Sequence, residues 1–383
     1  MDTPAGRDLH FTRDEYSQRL DRLRAAMRER GCEVAIIDDP GSLAYVAGFG
    51  ISGTRYQACL VPLDGDPVMV LRSLDEETFL DHAWFSERVL LADDEDPSAA
   101  IAATLRRLGL ASGRVGFELD SGFLTVQRYE SLRAALDGAV ACDLSGVVND
   151  LRLRKSPQEI AYCRRAAEIA DETMERAVAA AGVGVSERVP AALAASSYLE
   201  LGASDAHVGP VASGSRTGSV HGTLGAHVLE REDILHLELI PEYRGYSARM
   251  MRSVAIGDAS PSQRRAAEQV IEAQDAQIAA MHPGARACDV DRECRSRVLA
   301  ACLRDRFDNV TGYTLGYYGL PSAVRLSDFT RCLLPTANWT LEPDMVFHVY
   351  VWGGGVSISE SVLVAGNGPE RLTRTERTLF VRG

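Results

Sequence analysis

An α+β chain of two domains is what this sequence predicts, on three observations. Its 383 residues exceed what one hydrophobic core usually serves. Its first half alternates helical and strand patterns, the mark of a small α/β layer structure. Its second half opens on long helical patterns and closes on paired strands. The change falls within DLSGVVNDLRLRKS, from residue 143, and divides the chain into domains 1–150 and 151–383.

The elements follow in order. Residues 13–30 place Tyr16, Leu20, Leu23 and Met27 at helical spacing, with Gly31 as the C-terminal stop. CEVAIIDD then reads as an apolar strand. YQACLVPL and PVMVLR flank Asp64-Gly65-Asp66 as a hairpin, and helix and strand patterns repeat to residue 143. Ser156-Pro157-Gln158-Glu159 supplies an N-cap, a proline at the first helical position and an acidic first turn for a helix to about Ala181. Helices are expected at about 186–202, Pro261 to Met281 and Ala287 to Asp305, with strands at ILHLELI, YSARMMRS and VFHVYVW.

Composition excludes several classes of function. A net charge of −13 with no basic run repels phosphate backbones and anionic lipid, so neither nucleic acid nor membrane is expected as a partner. The N-terminal segment lacks an apolar core after a basic start, and no window has the apolar length of a membrane span. A soluble, cytoplasmic protein is expected. Its eight cysteines show no Cys-x-x-Cys pair, as suits buried thiols in a reducing compartment.

Five blocks carry a family resemblance. They are LRLRKSPQEIAYCRRAAEI (151–169), SVHGTLGAHVLEREDILHLELIPEYRGYSARMMRSVAIG (219–257), GYTLG (312–316), LEPDMVFHVYV (341–351) and GVSISESVLVAGNGPERLT (355–373). In this order they resemble the creatinase and prolidase superfamily. The resemblance implies a pita-bread catalytic domain, a curved antiparallel sheet with helices, behind a smaller α/β creatinase-type N-terminal domain. It also implies a homodimer in which the N-terminal domain of one subunit borders the other's pocket.

The resemblance places Glu238, Arg249, Tyr313, Tyr350 and Ser359 at the five positions where metal-dependent relatives bind two cations. A dinuclear hydrolase site needs several carboxylates around its ions, so the expectation is no metal and no other cofactor. Strand alternation groups His236 with Glu238, Ser247 with Arg249 and Met251, and His348 with Tyr350, as one polar wall. Hairpin proximity makes Glu238 and Arg249 an expected pair, either structural or in contact with substrate.

His221 is the expected acid-base catalyst, because its twelve-residue spacing to Asp233 matches that of the catalytic histidine of creatinase, and Glu238 is its expected helper. Substrate contacts are expected from Arg249, Tyr313, His348 and Tyr350, the phenols as donors to an oxyanion or carboxylate. Arg55 and Tyr56 lie in the segment that in creatinase-like dimers reaches the partner's pocket, and an arginine suits a substrate carboxylate. Arg325 and Arg331 fall where creatinase has a substrate-binding arginine. His207 is a weaker alternative to His221, and His227, His236 and His282 rank below both. Met251 and Tyr350 replace the carboxylates with which creatinase holds its guanidinium, so creatine is not the expected substrate.

Three readings follow from these residues. The first is a metal-independent hydrolase of a C–N bond in a small amino-acid-like amide, amidine or cyclic amidine, as in creatinase or ectoine hydrolase. The second is an Xaa-Pro peptidase with a divergent metal site. The third is a catalytically silent protein that binds a ligand in the same pocket.

Overall fold

The structure, a computed structural model, describes residues 7–50, 55–136, 138–218, 220–317 and 330–383. The chain divides into two compact units, Met1–Arg152 with Tyr317–Ser327, and Leu153–Gly316 with Asp328–Gly383. No helix among the described residues is long and apolar enough to cross a membrane.

The first unit runs α1 (Arg13–Arg30), β1 (Val34–Ile37), α2 (Pro40–Ala47), β2 (Ala58–Pro62), β3 (Val68–Arg72), α3 (Glu76–His82), β4 (Arg88–Leu91), α4 (Pro97–Arg107), β5 (Arg114–Phe117), α5 (Val126–Ala135), β6 (Val140–Asp143) and α6 (Val147–Leu151). The strands form one six-stranded sheet in the order β4-β3-β2-β1-β5-β6. Alternation divides its side chains between two cores. Ala35, Ile37, Cys59 and Val61 pack with Leu23, Leu43 and Phe79, while Val34, Ile36, Ala58 and Leu60 pack with Ile101, Leu105 and Leu132. Strands covered on both faces read as continuous apolar runs, which is why CEVAIIDD shows no polar face. Gly31 ends α1 in the left-handed region at φ 67°, as its lack of a Cβ permits.

The second unit runs α7 (Pro157–Ala179), α8 (Arg188–Glu200), β7 (Val211–Ser213), β8 (Ile234–Leu239), β9 (Glu242–Tyr243), β10 (Tyr246–Ser247), β11 (Met250–Ile256), α9 (Pro261–Ala279), α10 (Ala287–Ala300), β12 (Gly312–Thr314), β13 (Cys332–Leu333), β14 (Val346–Gly353), β15 (Val356–Ala365), β16 (Gly368–Arg371) and β17 (Phe380–Arg382). The nine-stranded sheet follows the order β13-β12-β14-β15-β11-β8-β7, with β16 on β15 and β17 on β11. Every pairing in it is antiparallel except β11 with β17.

The helices cover one face of this sheet. Leu235, Leu237, Leu239 and Val254 pack with Met174 and Tyr198, and Val351 and Ile358 pack with Val270 and Val298. The start of α7 is as expected, with Ser156 and Glu159 closing a capping box around Pro157. The helix expected to reach Asp305 stops at Ala300 instead. Cys302 takes φ 53°, its N–H donates to Leu299 O at 3.0 Å and that of Leu303 to Val298 O at 3.2 Å. This is a Schellman stop made without the glycine that usually announces one.

Within the helix-covered face Arg252 and Glu360 are wholly buried, with Nη2 to Oε1 at 2.8 Å. Arg252 also donates to the carbonyls of Glu376 and Thr375 at 2.9 and 2.8 Å. Burial pushes the carboxyl pKa up and the guanidinium pKa down, so each group depends on the other to stay ionised.

Candidate active site

The opposite face of the sheet is polar, and strand register builds it. Glu238 on β8 lies opposite Met251 on β11, Met251 opposite Ser359 on β15, and Ser359 opposite Tyr350 on β14. To one side of this line His236 pairs with Ser253, and Ser357 with Trp352. To the other side Ser361 pairs with His348, and His348 with Tyr313 on β12. Residues from five strands thus share one surface because each sits at an even spacing from its strand neighbours.

Arg249 precedes β11 and is anchored through its backbone. Its N–H donates to Ser361 Oγ at 2.8 Å, and that hydroxyl donates back to Arg249 O at 3.1 Å. Its Nη1 donates to the Tyr313 hydroxyl, and the guanidinium lies 5.3 Å from the Tyr313 ring centroid. The expected Glu238–Arg249 pair is present at 3.9 Å, with both side chains buried, but it is not the cross-strand pair that hairpin proximity suggests. Register puts Met251 opposite Glu238, and Arg249 spans the remaining distance with its length. His348 Nδ1 is 2.9 Å from the Tyr313 oxygen, and Asn309 Nδ2 donates to the Tyr350 hydroxyl at 3.1 Å. Burial raises the Tyr350 pKa, keeping it a donor.

His236, ranked low from sequence, is a buried and perturbed titratable group on this surface. Its Nδ1 is 2.7 Å from Ser357 Oγ, and burial, then the nearby His221, bring its pKa down to about 4. It is a neutral imidazole at any ordinary pH. The alternation that grouped it with Glu238 was the available signal.

His221 itself is exposed, in the segment between β7 and β8. Asp233, the residue at the twelve-residue spacing, is engaged elsewhere: His227 Nε2 lies 2.7 Å from its Oδ2, which also accepts from Glu230 N at 2.9 Å. A second anchor is the buried Glu187, which accepts from Ser213, Arg216 and Gly225 N. Together these carboxylates fasten the segment that carries His221, a role sequence reasoning did not find, since its partners lie up to 38 residues apart. His207 is exposed, with its N–H donating to Asp205 Oδ1.

The remaining expected contacts are distributed as follows. Arg331 has its backbone tied to β12, receiving Thr314 N–H at 2.9 Å and donating to Thr314 Oγ1 at 3.0 Å, while its Nη1 donates to Thr330 O. Arg325 lies outside the described residues. In the first unit Arg55 is 44% exposed and 3.9 Å from Asp93. Tyr56 is buried and donates to Asp38 Oδ2 at 2.8 Å.

The five positions that the resemblance assigns to metals hold one carboxylate, one guanidinium, two phenols and one hydroxyl. A guanidinium bonded to one phenol and 3.9 Å from the carboxylate already supplies the positive charge that cations would bring. This donor set does not fit a dinuclear centre. Among the described residues, the grouping of three metal-type donors within reach of one another is Asp8, His10 and His82, in the first unit.

Comparison with known proteins agrees with this architecture. The sequence profile of metallopeptidase family M24 matches residues 161–366, and that of the creatinase/prolidase N-terminal domain matches residues 19–154. The ectoine hydrolase of Halomonas elongata is 28% identical over 98% of this chain and 99% of its own. The Xaa-Pro dipeptidase of Pyrococcus furiosus is 27% identical, over 95% and 99%. Among solved structures, the Xaa-Pro dipeptidase from Bacillus anthracis superposes with a TM-score of 0.82 at 25% identity, over 96% of this chain and 99% of that one.

Proposed function

Because this chain belongs to metallopeptidase family M24, with a pita-bread catalytic domain behind a creatinase/prolidase N-terminal domain, we propose that it is a hydrolase of a C–N bond in a small amino-acid-like compound and that side chains, without a dinuclear metal centre, carry the reaction. The observation that carries the reading is Arg249, which puts a buried cation among the positions where the family's metals bind. The full-length likeness to ectoine hydrolase supports a substrate of amide, amidine or cyclic amidine type.

In the proposed mechanism Glu238 orients a water molecule against the electrophilic carbon. As the water oxygen forms its bond to that carbon, His221 takes the proton that is lost. The negative charge that develops on the carbonyl oxygen, or the amidine nitrogen, is met by the hydroxyl of Tyr350 and by the Arg249–Tyr313 pair. Collapse breaks the C–N bond, and His221 returns its proton to the leaving nitrogen. His236 contributes a neutral, hydrogen-bonded wall beside this path.

The Xaa-Pro dipeptidase reading is kept, because relatives of that name match over the same length. One experiment separates the two. The purified protein is assayed against cyclic amidines and small amides, and against Xaa-Pro dipeptides with added Mn²⁺ or Co²⁺. The proposal expects turnover of the former that survives chelation. Dipeptide cleavage that requires two ions per chain, both lost in Glu238→Gln, would overturn it.

A further inference from the structure

In the first unit, residues 7–12 precede α1, and their start is tied by hydrogen bonds to main-chain carbonyls at and just beyond the end of α3. Asp8 N–H donates to Asp81 O at 2.9 Å, and Arg7 Nη1 donates to the carbonyls of Ala83 and Phe85 at 2.6 and 3.0 Å. This strap brings a carboxylate, Asp8, and an imidazole, His10, onto His82, the last residue of α3. One donor atom from each lies within 4.8 Å of the other two. The rings of His10 and His82 meet edge to face, with centroids 6.0 Å apart.

His82 Nδ1 adds a separate observation. It is buried, and no described residue forms a hydrogen bond with it. A buried ring nitrogen of that kind calls for a partner, whether water or an ion. Two imidazoles and a carboxylate form a mixed nitrogen and oxygen set, which suits zinc and its late first-row neighbours; magnesium and calcium take oxygen ligands. Zinc holds such donors at about 2.0–2.2 Å, which puts them roughly 3.3 Å apart around a tetrahedron. Closing in from at most 4.8 Å needs side-chain movement of about 1 to 1.5 Å, within what a rotamer adjustment gives. The fourth position would be left to water.

We propose that Asp8, His10 and His82 form a divalent late-transition-metal site, best suited to zinc, that fastens residues 7–12 to α3. This site is built only from the first unit and is independent of the pocket chemistry proposed above.

The test is a calorimetric titration of zinc chloride into the chelator-treated full-length chain, paired with hydrogen exchange at residues 8–12. One ion is expected per chain, with affinity falling at least tenfold in His82→Ala and in Asp8→Asn, and with slower exchange in the strap when zinc is added. Asp8 is exposed, so its variant probes binding with little demand on folding. Melting curves of both variants in chelator show whether the fold is intact. The proposal is overturned if wild type and both folded variants bind zinc alike, or if zinc leaves exchange in the strap unchanged.

Discussion

Replacing Arg249 by alanine tests how the pocket holds its charge. Arg249 Nη1 stands 3.9 Å from Glu238 Oε1, and the two side chains are 7% and 4% exposed. At an effective dielectric constant of about 20, a separation of that size corresponds to roughly 4 kcal/mol of attraction. Removing the cation leaves a buried carboxylate behind, at an expected loss of about 3–5 kcal/mol in unfolding free energy. Desolvation then raises the Glu238 pKa in the variant. A carboxyl whose folded pKa exceeds its unfolded value is stabilising when protonated and loses that contribution as pH rises through the folded pKa. The deficit of Arg249→Ala should therefore be larger at pH 7.5 than at pH 5. Urea unfolding followed by tryptophan fluorescence measures it, together with Glu238→Gln and the double variant. The double variant should cost at least about 2 kcal/mol less than the sum of the single ones, whereas additivity within about 0.5 kcal/mol would refute the pairing.

Three further outcomes are expected. His221→Ala should lower kcat by about 10² to 10⁴ with an unchanged melting temperature, and an unchanged kcat would move proton transfer to another group. Asp38, buried with its pKa raised from 3.8 to about 6 by desolvation, should make wild type lose up to about 3 kcal/mol of stability as pH rises from about 4 to about 6. Asp38→Asn should lack that loss, so unfolding curves of the two proteins should diverge with rising pH; parallel curves would contradict the burial argument. The protein should run as a dimer in light scattering, and Arg55→Ala should raise KM with little change in stability, while a micromolar monomer would count against a shared site.

Much of the architecture was legible because local chemistry and tertiary structure agree. Ser156-Pro157 and Gly31 mark helix ends that the structure keeps, and the alternation in ILHLELI separated leucines for the core from His236 and Glu238 for the pocket. What sequence spacing could not give was register. It suggested Glu238 and Arg249 as neighbours across the hairpin, whereas the residue opposite Glu238 is Met251, and it gave no sign that His227 holds Asp233. Cross-strand partners are set by hydrogen-bond pairing between distant segments, and a count along one strand carries no record of them. The anchoring by Glu187 was hidden for the same reason, and the stop of α10 was hidden because Cys302 fills a conformation usually read from glycine.

The alternation of β15 has a consequence for how such proteins change over time. Ser359 lies on the polar face of the sheet and Glu360, its neighbour, holds Arg252 in the packed interior. Chemistry and cohesion are thus written on adjacent letters of the same strand but on opposite sides of the sheet. A lineage can exchange what one side presents to a substrate while the other goes on holding the helices in place.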